Sequence, residues 1–391
     1  MNKQSGRRLV LLEASKVRSQ HSTLIDGILR ASLHGNLDTH QAPPLLLAHT
    51  TLFDHMSDAT KRGIEFRSVS VMDPQRRRLI RKSLVEVYVT FRALLALKTD
   101  KEFLLVTTIL PSAAIVVEML KWLFPHKQMA IMIHGDVEGI LDKSRQRVDS
   151  YGLYMKIWFG MRRRSTLKLA VIDRFIADMA LGAFPNAIRA DELFVIPLLV
   201  EPATLQTRPE GPVKCCFIGF DTPNKGYFRF ESLASQFPQL EFVKIGGGVL
   251  KNERTGIVTT LRNNSDFLDE ISKCDIAVFP YTGGYSCSLS AAAIDAVSAG
   301  AHIFATERGC FLALAEEFGA DCVTIFQTPE DMSLVLGCHK TLKQIRLNKP
   351  KRLGLLETSR YGLASVAQSV KDMLQGVTFK SSNRSAKGLE S

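Results

Sequence analysis

The chain has 391 residues, too many for one ordinary core, and at roughly 100–200 residues per domain its length favours two. Hydrophobic residues at 46% and charged residues at 23% describe a packed globular protein and exclude a disordered one. The net charge of +11 is one-sided: residues 1–200 hold 29 Lys and Arg against 19 Asp and Glu, and residues 201–391 hold 21 against 20.

Read from the start, MNKQSGRRLVLLEASK has a basic opening but only a short apolar run before Glu13. That is too brief for a signal-peptide core and reads as a first strand, Arg8–Glu13. Further strands are expected at Pro44–His49, Glu65–Val71, Glu102–Ile109, Met129–His134, Leu167–Asp173 and Leu193–Pro197. Helical stretches between them fall at His21–Leu33, Gln75–Leu97, Pro111–Phe124 and Arg174–Ala183. The segment VIPLLVEPATLQTRPEGP carries four prolines and a glycine, and a domain boundary is placed there, between residues 1–200 and 201–379. The pattern then restarts, with strands at Val213–Gly219, Leu240–Ile245, Ile257–Thr260, Asp275–Phe279, Ala301–Thr306 and Cys322–Ile325. Helices are expected at Tyr227–Gln236, Ser265–Lys273, Ser288–Ala299, Gly309–Phe318 and Pro329–Ile345, with a last one, Leu363–Leu374, that can cross back onto the first domain. The tail, residues 380–391, is polar and is expected to be disordered. Short apolar runs alternating with helical periods are the βαβ pattern of parallel sheets, so the fold class is α/β with two Rossmann-like domains. Ligands of such sheets bind beyond the strand C-termini, which here would face a shared cleft.

The apolar stretches fall well short of the about 20 residues that cross a bilayer. The seven cysteines form no CxxC pair and no zinc spacing, and they read as buried reduced thiols of a cytoplasmic protein. Two basic clusters stand out in the first half: Arg76, Arg77, Arg78, Arg81 and Lys82, and then Arg162, Arg163 and Arg164. Such clusters face solvent, anionic lipid or nucleic acid. No zinc finger, RNP-type strand or helix-turn-helix pattern is present, so nucleic acid is set aside and an anionic membrane surface is kept as a partner.

Four segments carry chemistry. In CCFIGFDTPNKGYFRF a buried strand ends at Gly219 and Lys225-Gly226 opens a helix. A lysine beside free helix-start amides is an anion site, although the P-loop spacing is absent. In AVFPYTGGYSCSLSAAAIDAVSAG, the glycines Gly283 and Gly284 and the hydroxyls of Ser286, Ser288 and Ser290 sit at a strand-to-helix junction, where a ligand can approach the backbone closely. Asp295, inside the following helix, is either an exposed helix carboxylate or a polar group turned towards a ligand's hydroxyls. In MAIMIHGDVEG, His134 follows a buried strand with Asp136 and Glu138 close behind, a plausible acid/base set. In LLEASKVRSQHS, the loop after the first strand is polar and basic, with Lys16 and Arg18, and Glu13 is a site carboxylate or an ion-pair partner of Lys16.

The strand–turn–Lys-Gly element, the Pro-Tyr strand end, the glycine loop, the acidic residue in a small-residue helix and Gly300 together resemble the GT4-like glycosyltransferases of the GT-B superfamily, over residues 213–310. The resemblance implies a GT-B fold and transfer of a sugar from a nucleotide-sugar donor to a hydroxyl acceptor, a glycan or lipid-linked intermediate of polysaccharide biosynthesis. It implies that Lys225 contacts the donor diphosphate, that Gly284 to Ser288 cradle phosphate and sugar, and that Asp295 binds the ribose. His134 resembles the acid/base residue of the acceptor domain. Two positions depart from the pattern: Phe220 stands where the family has Arg, and Cys287 where it has the first glutamate of an E-x7-E pair. Arg229, one helical turn after Lys225, is the residue that would supply the lost charge. No cofactor is expected and no DxD pair stands at a strand end, so a metal-independent hexosyltransferase is expected. The rivals are a degenerate GT-B protein that binds without turnover and a UDP-sugar 2-epimerase of the same architecture.

Overall fold

The computed structural model describes residues 7–16, 21–35, 42–71, 79–98, 101–133, 150–162, 165–204, 211–246, 258–260 and 264–380. It divides into two compact units. Unit 1 is Met1–Leu199 with Leu363–Ser391, and unit 2 is Val200–Gly362.

Unit 1 is built on a sheet of seven parallel strands among the described residues, β1 (Arg8–Glu13), β2 (Leu45–Ala48), β3 (Glu65–Ser68), β4 (Glu102–Thr108), β5 (Gln128–Ile133), β6 (Lys168–Val171) and β7 (Leu193–Val195), ordered β3-β2-β1-β4-β5-β6-β7. The chain starts in the middle of the sheet, runs to one edge, and then returns past β1 to the other. Right-handed crossovers therefore put the helices of the two halves on opposite faces. On one face α1 (Ser22–Gly35) packs with α3 (Asp58–Gly63), and α2 (Thr50–Asp54) precedes α3 in the same crossover. On the other, α4 (Leu79–Ala96) packs beside α5 (Pro111–Leu123), and α5 beside α6 (Ser150–Met161). Helix α7 (Arg174–Ala183) joins β6 to β7, and Asp173 caps it by accepting the Phe175 N–H at 3.0 Å. Helices on both faces bury the central strands completely, which is why β1, β4 and β5 read as unbroken apolar runs. The last helix, α15 (Leu363–Gln375), lies along α1, and its Val366, Val370 and Met373 share one core with Ile25, Ile28 and Leu29.

Unit 2 has six parallel strands among the described residues: β8 (Lys214–Ile218), β9 (Glu241–Ile245), β10 (Val258–Thr260), β11 (Ile276–Phe279), β12 (His302–Thr306) and β13 (Val323–Phe326), ordered β10-β9-β8-β11-β12-β13. Between and after them run α8 (Tyr227–Gln236), α9 (Asn264–Ser272), α10 (Ala291–Ser298), α11 (Gly309–Phe318), α12 (Met332–Leu336), α13 (His339–Leu347) and α14 (Lys349–Thr358). The single helix expected over Pro329–Ile345 is two, because the chain breaks at Gly337 and Cys338 before restarting. All thirteen strands lie where the apolar runs predict them.

Three expectations from the sequence are corrected. Arg162 does not belong to a solvent-facing basic cluster. It is fully buried, donating to Glu118 at 2.9 Å and to the Leu167 carbonyl at 2.9 Å, with Glu192 at 3.8 Å. Lys82 is likewise buried, 3.8 Å from Glu86, since it falls on the inner stripe of α4. Of the seven cysteines, all free, Cys338 is exposed. Arg76, Arg77, Arg78, Arg163 and Arg164 lie outside the described residues. No described helix is long and apolar enough to cross a membrane.

Candidate active site

In unit 2 the two segments singled out from sequence meet. Strand β8 ends at Gly219, whose φ of +105° few side chains tolerate, and its N–H donates to the Ile245 carbonyl at 2.9 Å. One tight turn, Pro223–Lys225, leads to Gly226 in the left-handed region, and α8 begins. The Asn224 carbonyl accepts the N–H of Thr282 at 2.9 Å and that of Gly283 at 3.4 Å, so this turn is laced to the loop after β11. The fit is close: a Cβ on Gly226 would stand 2.1 Å from the Pro280 carbonyl oxygen, which only glycine permits.

Lys225 folds back from this turn over the strand end, its Nζ 3.2 Å from where a Cβ on Gly219 would be. It lies 5.9 Å from the ring centroids of both Tyr281 and Tyr285. Its ammonium makes no hydrogen bond or ion pair with the described residues, and burial alone pulls its pKa below the usual lysine range. A half-buried cation with no carboxylate partner among the described residues, set against glycine backbone, is an arrangement able to meet an anion. Beneath it Lys244, fully buried on β9, pairs with Asp221 at 3.3 Å and lies 4.4 Å over the Tyr227 ring, pinning both ends of the turn.

The loop after β11 is held in an unusual backbone. Gly284 has φ +72° and Tyr285 φ +62°. The Tyr285 carbonyl accepts the Cys310 N–H at 3.3 Å, and a Cβ on Gly309 would meet the Ser286 carbonyl oxygen at 2.2 Å. Ser286 is exposed and Ser288 half-exposed, while Cys287 is buried. Ser290 caps α10 by accepting the Ala293 N–H at 3.4 Å. Asp295 follows within that helix, its carboxyl without a hydrogen bond or ion pair to the described residues, and burial holds that carboxyl up at about 7. Arg229 is engaged: it is ion-paired with Glu330 and lies 5.3 Å over Phe228, so its charge is already met. Phe220 is exposed.

In unit 1 the candidate residues sit at the C-terminal ends of β1 and β4. Glu13 is fully buried, accepting the backbone N–H of Ser15 and of Lys16 at 2.9 Å on one oxygen and the Thr107 hydroxyl at 2.8 Å on the other. Its second oxygen is 3.6 Å from Nδ1 of His21, which is also 2.9 Å from the Thr108 hydroxyl. Burial pushes the Glu13 carboxyl up, but His21 and the hydrogen bonds outweigh it and leave it lowered. Glu13 thus binds the backbone of Lys16, with the His21 imidazole beside its second oxygen. An imidazole set by a buried carboxylate is an arrangement able to take up and return a proton. Lys82 and Glu86 complete the cluster, Glu86 accepting the Leu110 N–H at 2.7 Å. Arg18, His134, Asp136 and Glu138 lie outside the described residues.

His21 and Tyr285 are the two non-glycine residues with positive φ among those described, one in each candidate site. No residue pattern announces a left-handed backbone, and a lysine inside EFVKI looks like one on an exposed edge, so neither these positions nor Lys244 stands out in the sequence.

Two Rossmann-like parallel sheets in one chain, the second with a lysine-bearing glycine turn at its strand ends, define the GT-B fold, and the chain has it. HepE of Anabaena, solved in complex with UDP and glucose, matches with a TM-score of 0.65 at 11% identity, over 94% of this chain and 99% of that one. TarM matches with a TM-score of 0.66 at 9% identity, over 95% and 99%. A glycosyltransferase from Rickettsia africae matches with a TM-score of 0.61 at 11% identity, over 95% and 98%. No protein-family model matches the sequence, and no curated protein matches it either.

Proposed function

We propose that the chain is a glycosyltransferase that moves a hexosyl group from a nucleotide-sugar donor to a hydroxyl acceptor. The acceptor would be a glycan or lipid-linked intermediate of polysaccharide biosynthesis, and the protein would work in the cytoplasm or at the inner face of the membrane. The observation that carries this reading is Lys225, a half-buried cation over the glycine end of β8 whose ammonium has no partner among the described residues. The solved structures of HepE with UDP and with UDP-glucose support a nucleotide-sugar donor on this fold.

Lys225 and the backbone N–H groups at the start of α8 would stabilise the departing diphosphate, so the reaction needs no metal ion. Gly284 to Ser288 would approach the phosphate and sugar through their backbone. Asp295, whose carboxyl has no partner among the described residues, would accept hydrogen bonds from the ribose hydroxyls. His21, oriented by Glu13, is the described group suited to take the acceptor's proton, with His134, Asp136 and Glu138 kept as the acid/base set proposed from sequence.

Release of nucleoside diphosphate from a panel of nucleotide sugars tests the reading. Turnover is expected to persist in EDTA and to fall about 100-fold or more in Lys225→Ala, the usual cost of losing one transition-state donor. Thermal stabilisation by a donor without any release would show a binding protein instead, and activity restored only by manganese would overturn the metal-free mechanism.

A further inference from the structure

The outer face of the α4–α5–α6 layer does not look like a surface made for water. Ile80 and Leu84, four residues apart, point out of α4, and Ile80 is 81% exposed. Trp122 and Leu123 are exposed at the end of α5, and Tyr154 and Ile157 project from α6. Single exposed apolar residues are normal, but stripes of them on three helices packed side by side are not.

The charges on this layer are equally selective. Its three helices contain two carboxylates, Glu86 and Glu118, and both are fully buried. Glu118 is held by Arg162 and Trp158, and Glu86 by Lys82 and the Leu110 N–H. The exposed charged residues of the helices are all cations: Arg81, Arg92 and Lys156. Apolar side chains with a tryptophan and tyrosines among them, flanked by Lys and Arg and free of acidic residues, match the headgroup boundary of an anionic bilayer. A second copy of the chain would bring the same cations to the same surface and repel.

We propose that the α4–α5–α6 face docks on an anionic lipid bilayer, with Trp122 and the apolar stripes entering the headgroup layer. This deepens the peripheral location proposed above and rests on it, but it does not require the transfer reaction. The chain has two tryptophans, and Trp158 is 1% exposed whereas Trp122 is 51% exposed, so Trp122 is a built-in probe of this face.

The test uses the full chain, without donor, and phosphatidylcholine vesicles with or without about a third phosphatidylglycerol. Tryptophan emission is expected to shift to the blue and the protein to pellet with the anionic vesicles only, and salt should weaken both effects. Ile80→Glu with Leu123→Glu should lower vesicle binding at least tenfold, with melting temperature and diphosphate release unchanged. Unshifted emission with the protein left in the supernatant would overturn the proposal. So would equal binding to both vesicle types, or a lipid-free dimer that already shields Trp122. Diphosphate release, read separately, shows whether the transfer reading fails on its own.

Discussion

Asp295 and Arg162 show how differently an ionisable group drawn away from water can be met. The Asp295 carboxyl, ordinarily near 3.8, is held up at about 7 by burial. Between those values the folded chain keeps a proton that the unfolded chain has released, so this residue's contribution to stability falls as the pH rises through that window. Asp295→Asn should therefore raise the melting temperature near about pH 8 and change it little near about pH 4. Equal shifts at both would show that a partner meets the carboxylate. Arg162 is the opposite case, since Glu118 and Glu192 face its guanidinium. Burial still pulls it below the usual arginine range. Arg162→Ala would strand Glu118, and chemical denaturation should show a loss of about 3–5 kcal/mol. A loss under about 1 kcal/mol would mean that water reaches the pair.

At the scale of elements, the turn from Pro223 to Gly226 depends on glycine where a side chain cannot fit. Gly226→Ala would force the turn off the Pro280 carbonyl and should abolish donor binding by calorimetry along with several degrees of stability. Gly354, inside α14 with nothing within 4 Å of a Cβ, is the control: Gly354→Ala should stabilise by about 0.5–1 kcal/mol. The same contrast explains what the sequence made legible. Parallel strands buried on both faces must be apolar throughout, so RLVLLE, EFLLVTT and KCCFI announced themselves. The Asn-Lys-Gly turn and the Gly-Gly loop were legible because glycine has few uses at a strand end. Helix α6 was not: Trp158 and Phe159 point in while Tyr154 and Ile157 point out, so it has no polar face to mark a helical period. The burial of Lys82 and Arg162 was hidden for another reason. Their partners, Glu86 and the pair Glu118 and Glu192, could be assigned only once the helices were packed.

For the whole molecule, the covering of α1 by α15 decides which parts stand alone. Val366, Val370 and Met373 fill the groove over Ile25, Ile28 and Leu29, all essentially buried. A chain cut after Gly362 should lose the cooperative melting of unit 1 while keeping that of unit 2, and limited proteolysis should leave a fragment close to Val200–Gly362. Survival of unit 1 in that truncation would show α15 to be an ornament on a finished core.

Because α15 comes after all of unit 2 in the chain, the first sheet leaves the ribosome unfinished. Its α1 face must wait, apolar and uncovered, while Val200–Gly362 is translated and folds. Unit 2, whose sheet is closed within one continuous segment, is then free to fold first although it is made second. The nascent chain thus carries an adhesive stripe for the span of a whole domain's synthesis, and a chaperone that shields apolar helices should raise the yield of full-length protein more than that of unit 2 alone.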